Sequence, residues 1–190
     1  MDYIIIIVSA IFINNIVLSR FLGICPFLGV SKETSTAVGM GGAVLFVMTI
    51  ATIITYLIYN LLLVPFDITY LQTVTYILVI AFLVQVVEIV IKKVSPELYK
   101  ALGVFLPLIT TNCAILGVAI LVVQNEFNLI ESVVFAIGNA IGFALAIVLF
   151  SSLREQMELA DLPEGMKGVP AALIVAGILS MAFMGFAGLV

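Results

Sequence analysis

Apolar residues in this chain run in long blocks, and the polar and charged residues fall mainly between them. The blocks are Tyr3–Leu22, Ala37–Val64, Leu71–Ile91, Ala101–Val123, Ser132–Leu153 and Val169–Val190. A helix needs roughly 20 apolar residues to cross the ~30 Å hydrocarbon core of a bilayer, and each block reaches that length. Leu71–Ile91 contains one acid, Glu88, near its end. The pattern therefore predicts an all-α integral membrane protein with six transmembrane helices. Short connections use up the rest of the chain, so residues 1–190 are expected to form a single transmembrane domain.

Composition agrees with that reading. Hydrophobic residues make up 64% of the chain and charged residues only 9%, against about a quarter charged in a soluble domain. The first block is expected to stay in the mature protein. It begins with Asp2 rather than a basic stretch, and no small-residue cleavage site follows it. The net charge of −4 says less than the distribution of charge. With six helices, the first, third and fifth connections share one side. That side receives Arg20 and Lys32, then Lys92, Lys93 and Lys100, then Arg154 and Lys167, which are all seven basic residues. The positive-inside rule puts this side in the cytoplasm and both termini outside.

The chain also repeats itself. Cys25-Pro26-Phe27-Leu28-Gly29-Val30 and Cys113-Ala114-Ile115-Leu116-Gly117-Val118 both read Cys-x-x-Leu-Gly-Val. The same offset lays the second helix over the fifth, while the third helices need an insertion that the charged loop Arg154–Gly168 fills. Residues 1–94 and 95–190 are thus expected to be two three-helix repeats. Three is odd, so the second enters the membrane from the opposite side, giving an inverted repeat about an axis in the membrane plane. The alternative is a chance match between apolar segments. Such an axis brings the two cysteines together near mid-membrane. Cys113 lies midway along its block, but Cys25 lies late, which requires a broken first helix. Gly23, Pro26 and Gly29 around Cys25, and Pro107 and Thr110-Thr111-Asn112 before Cys113, predict breaks in the first and fourth helices. Unwound backbone at that depth must be covered by protein or line a cavity.

A buried cysteine is often only a small apolar side chain, and two that meet can form a disulfide. The other reading is metal ligation, in which thiolate selects iron–sulfur, zinc or copper(I) centres. With no histidine in the chain, His-ligated haem, the Rieske arrangement and mixed Cys/His zinc sites are excluded. An iron–sulfur cluster normally takes four cysteines. Two here would place it at a subunit interface, with two more thiolates from a partner. There is no phosphate loop, no dinucleotide fingerprint and no nucleophile–base set, and no basic patch to bind nucleic acid. Glu88 lies one turn before Lys92 and is expected to pair with it. Asn14, Asn15, Gln85 and Asn139 are expected to hydrogen-bond between helices, with cation coordination the alternative. The glycines of the second and fifth helices (Gly39, Gly41, Gly42, Gly138, Gly142) fit close helix packing.

The stretches 21–32, reading FLGICPFLGVSK, and 105–114, reading FLPLITTNCA, resemble the signatures of the A subunits of the Rnf electron-transport complex. The likeness extends through Leu83–Glu88 and the tail Met181–Phe186. The E subunit of the sodium-pumping quinone reductase is a related family. Asn14-Asn15, Cys25-Pro26 and the doubled threonine before Asn112 are closer to the Rnf branch. The resemblance implies a multi-pass protein of the bacterial cytoplasmic membrane. It implies a 2Fe-2S cluster held by Cys25 and Cys113 together with a cysteine pair from a homologous subunit of opposite orientation, the E subunit. It also implies the further Rnf partners B, C, D and G in a complex that couples ferredoxin oxidation and NAD reduction to Na⁺ or H⁺ transport. A small inverted-repeat secondary transporter is the competing expectation, because broken helices at the midplane are also a transporter signature. A third is an assembly protein whose cysteines only pack.

Overall fold

The computed structural model describes residues 2–31, 33–94, 106–159 and 163–188, and all regular structure among them is helical. Helix α1 (Asp2–Val8) runs into a π-helical turn at Ser9–Ile13. After an irregular stretch comes the short α2 (Ile24–Val30). Helix α3 (Thr34–Ile58) ends in a second π-helical turn, Tyr59–Leu63, and α4 spans Gln72–Val94. The second half contains α5 (Leu106–Thr110), α6 (Cys113–Gln124), α7 (Leu129–Glu158) and α8 (Val169–Met184). Among the described residues, four stretches are long and apolar enough to cross a membrane: Thr34–Leu63, Thr69–Val90, Pro107–Gln124 and Leu129–Glu158. Tyr3–Ile13 and Val169–Met184 are shorter apolar helices.

The core forms where α3 crosses α7. Met40, Val44, Met48 and Ala51 on α3 and Ala140, Phe143, Ala146, Ile147 and Phe150 on α7 are all fully buried. Small residues allow the close approach that lipid, with no hydrophobic drive between helices, would otherwise not favour. A Cβ at Gly41 would stand only 2.8 Å from the Ala144 Cβ. Around this core the surface is apolar: Leu78 and Phe82 on α4 and Met181 and Met184 on α8 are more than half exposed. A water-soluble monomer rarely exposes such contiguous apolar surface, so lipid or partner subunits must cover it.

The block Tyr3–Leu22 is helical only to Ile13, and Asn15 accounts for the stop. Its fully buried carboxamide donates to the carbonyls of Ile11 (3.0 Å) and Gly142 (2.9 Å). Its Oδ1 accepts from the amides of Val17 (3.1 Å) and Leu18 (3.3 Å). The Ser180 hydroxyl donates to the Leu18 carbonyl at 2.6 Å. Side chains thus replace the helical bonds that the break gives up, as buried backbone requires. The first part of the block Ala101–Val123, before Leu106, lies outside the described residues. So do the junction at 95 between the expected repeats and the last two residues of Val169–Val190.

Two charged residues sit elsewhere than the sequence placed them. Arg154 belongs to α7, not to the following loop, because α7 continues helically to Glu158. It is 8% exposed and donates through Nη1 to the Leu28 carbonyl (2.9 Å) and the Ser31 hydroxyl (3.0 Å). A cation there satisfies a terminal carbonyl of α2 and complements the negative end of that helix. The neighbouring Glu155 accepts the Thr34 amide at the start of α3, at 2.8 Å. Arg20 does not belong to the connection that contains Lys32. It lines a cavity of about 270 Å³ with Ser9, Asn14, Asn125 and Asn139. Asn125 follows the end of α6, so Arg20 faces the end of the bundle opposite to Arg154.

Candidate functional site at the two helix breaks

Each cysteine begins a helix. Cys25 is the second residue of α2, which is capped by Gly23, and Cys113 is the first residue of α6, which is capped by Asn112. The two N-terminal ends meet. The Gly23 amide, freed from helical bonding by the break, donates to the Cys113 sulfur at 2.9 Å. Gly23 has φ +82, in the left-handed region. A Cβ there would lie 3.1 Å from the Ala114 Cβ, from Asn112 Oδ1 and from the Phe143 ring. Both the conformation and the space restrict the position to glycine.

Asn112 completes the junction. It is only 3% exposed, and its Oδ1 accepts the Ala114 amide at 3.0 Å, a standard N-cap bond. Its Nδ2 is buried and has no hydrogen-bond partner. Asn112 and Cys113 line a largely apolar cavity of about 350 Å³, together with Thr110, Thr111 and residues of α4 such as Ile77 and Ile80. Cys25 is exposed, Cys113 is partly buried, and both are free thiols.

The donor set fits a sulfur-ligated cluster that is shared with a second chain. The two sulfurs are soft ligands. Among the described residues no group of three or more His, Cys, Asp or Glu side chains converges on a point. Surrounding N–H groups are the second layer such clusters use, since hydrogen bonds to their sulfurs help set the potential. One such bond is in place from Gly23, and one buried donor, Asn112 Nδ2, is unspent.

The remaining polar candidates do not join this site. Asn15 bridges α7 and the break, Asn139 donates to Phe135 within its own helix (2.9 Å), and Asn14 donates to the Ser9 hydroxyl (3.2 Å). Gln85 is exposed on α4, and the partly buried Glu88 and the exposed Lys92 of that helix each have a polar partner. Sequence reasoning missed three contributors: Gly23 as a left-handed cap, Asn112 as a cap with a spare donor, and Arg154 as the anchor of α2. The first two were signalled by Gly and Asn standing just before the helices that carry the cysteines. Nothing local signals the third, whose partners lie more than a hundred residues away.

The chain matches the family described as "Rnf-Nqr subunit, membrane protein" over residues 3–190. It is 58% identical to the A subunit of the "Na(+)-translocating ferredoxin:NAD(+) oxidoreductase complex" of Acetobacterium woodii, covering 100% of this chain and 98% of that one. Over the same shares it is 54% and 50% identical to the A subunits of the "Ion-translocating oxidoreductase complex" of Syntrophotalea carbinolica and Vibrio cholerae. An all-helical chain with a lipid-suited surface and matched cysteine-bearing breaks, similar to these proteins from end to end, belongs to the Rnf-Nqr family of membrane subunits and is similar to the A subunits of Rnf complexes.

Proposed function

We propose that this chain is the A-type subunit of an ion-translocating ferredoxin:NAD⁺ oxidoreductase, and that Cys25 and Cys113 are its ligands to a 2Fe-2S cluster shared with a homologous membrane subunit. The observation that carries this reading is the contact between the two cysteine-bearing helix starts, Gly23 N–H to Cys113 Sγ at 2.9 Å. It joins the two Cys-x-x-Leu-Gly-Val stretches at a pair of helix breaks. Two thiolates fall short of the four that such a cluster takes, and the exposed Cys25 faces outward, where a partner would bring the other two. When bound, the cluster supplies one-electron transfer within the membrane.

The chain's own residues perform the positioning. Gly23 orients the Cys113 sulfur through its amide. Arg154 holds the far end of α2 and so fixes the helix that presents Cys25. The buried α3–α7 core supplies a packed base beside the junction, where the Phe143 ring lies against Gly23. The chain is thereby a non-autonomous part of a redox-driven translocase, working with the other Rnf subunits, and the coupled ion is Na⁺ or H⁺. Purified together with its partner subunits, the protein should contain iron and acid-labile sulfide and give the electron paramagnetic resonance signal of a reduced 2Fe-2S centre. Purified alone, it should hold little of either. A colourless complex that moves a solute without electron donors would overturn this reading in favour of a secondary transporter.

The same reading includes an inverted pair of three-helix repeats in the bacterial cytoplasmic membrane, with both termini outside. The basic residues at the end of α4 and in the connection before α8 support that orientation, and Arg20, turned toward the other end, subtracts from it. Reporter fusions at Lys93 and Lys167 should read cytoplasmic and one at Asp67 external. The reverse pattern would invert the whole assignment.

A further inference from the structure

We infer that Asn112 is a hydrogen-bond donor to a sulfur of the cluster and raises its reduction potential. This rests on the cluster reading proposed above. A side-chain amide has two donors and one acceptor oxygen. In Asn112 the oxygen is committed to the Ala114 amide at 3.0 Å, which fixes the orientation of the carboxamide and leaves the NH₂ group free. That group is buried with no partner, in a residue 3% exposed. A buried polar group left without a partner is unfavourable, so the arrangement requires an acceptor. Ordinary capping does not explain the choice of Asn, because Ser or Asp caps a helix equally well without a spare NH₂.

The neighbouring groups indicate which acceptor. Asn112 immediately precedes Cys113, and both line the same cavity, whose other walls are mostly apolar. The Gly23 amide already uses the Cys113 sulfur, and Asn112 Oδ1 lies against Gly23, 3.1 Å from where its Cβ would be. Seating a shared cluster on Cys25 and Cys113 brings further sulfurs, the bridging sulfides and the partner's thiolates, to this junction. Each is an anionic acceptor. A hydrogen bond to a cluster sulfur offsets part of the negative charge, and the reduced cluster carries one more negative charge than the oxidised one. The bond therefore favours the reduced form and raises the potential.

The test uses the assembled complex and two variants. Asn112→Gly removes the carboxamide at little cost to the cap, because glycine is itself tolerated at the N-cap. Asn112→Asp keeps the capping oxygen and replaces the NH₂ with a second acceptor. The readout is the midpoint potential of the cluster, titrated with electron paramagnetic resonance detection. In Asn112→Gly the ratio of reduced to oxidised cluster at a fixed ambient potential should fall about tenfold, equivalent to 59 mV for a one-electron couple. In Asn112→Asp it should fall further. A wild-type potential in either cluster-loaded variant would overturn the inference. Loss of the cluster from both variants would also overturn it, assigning Asn112 to assembly of the site instead. A wild-type complex with no Cys25- and Cys113-dependent cluster would sink the underlying reading itself, so the two failures are distinguishable.

Discussion

Cys25→Ser and Cys113→Ser should each abolish the same iron–sulfur signal and stop electron flow through the assembled complex. The two residues stand at equivalent places, the first turns of α2 and α6, and their helix ends are joined by the Gly23–Cys113 bond. A serine hydroxyl is near the size of a thiol but is a harder ligand with a much less acidic proton, so it is a poor substitute on iron. Folding should survive, because small polar residues are tolerated in membrane helix contacts and neither cysteine belongs to the α3–α7 core. Iron, sulfide and spectra measured on complexes of unchanged subunit composition check this. Two single mutants that both keep the full signal would return the cysteines to a packing role.

Asn15→Leu should be the most disruptive single polar substitution, whereas Asn14→Leu, one residue away, should be close to neutral. Leucine approximates the shape of asparagine but leaves the amides of Val17 and Leu18 and the carbonyl of Gly142 without their partner. At roughly 1–3 kcal/mol for each buried orphan, reduced by local adjustment, the loss should come to about 2–5 kcal/mol. Asn14 is exposed, and among the described residues its carboxamide donates to Ser9. Thermal unfolding of the detergent-purified complex would compare the two. Because Asn15 shapes the chain leading to Gly23, the Leu variant should also lose cluster content before it loses helix. Equal melting temperatures for the two variants would contradict this account of the break.

Much of this was legible in the sequence because lipid imposes a simple rule: uncharged stretches of helical length span or nearly span the bilayer. Ala37–Val64, Leu71–Ile91 and Ser132–Leu153 correspond closely to Thr34–Leu63, Gln72–Val94 and Leu129–Glu158. Hydropathy failed at Tyr3–Leu22, since it averages over side chains and is blind to where the backbone leaves the helix. Ile16, Val17 and Leu18 are as apolar as any helical residue, yet they are buried in an irregular segment that Asn15 and Ser180 satisfy. Arg154 misleads for the converse reason. A charge at the end of an apolar block resembles a loop boundary, and only tertiary contact shows its guanidinium turned inward. The cysteine pair is visible through the repeated spacing, which registers equivalence in sequence. The donors around the sulfurs arise from backbone geometry and from side chains of ordinary type, and these leave no comparable pattern.

Helix α7 acts as a ruler for the broken first helix. One side of the break is tied to it at Gly142, through Asn15, and the far end of α2 is tied to it at Arg154, twelve residues further on. At 1.5 Å per residue this fixes about 18 Å along the bundle. The position of Cys25 along the bundle is thus set by a helix that carries neither cysteine. Adding or deleting one residue between positions 142 and 154 would turn Arg154 about 100° around the helix, since 3.6 residues complete a turn. It would also shift the far anchor along the axis, although every residue at the junction would be unchanged. Length variation in the family should therefore be confined to segments outside this interval, such as the connection that precedes α8.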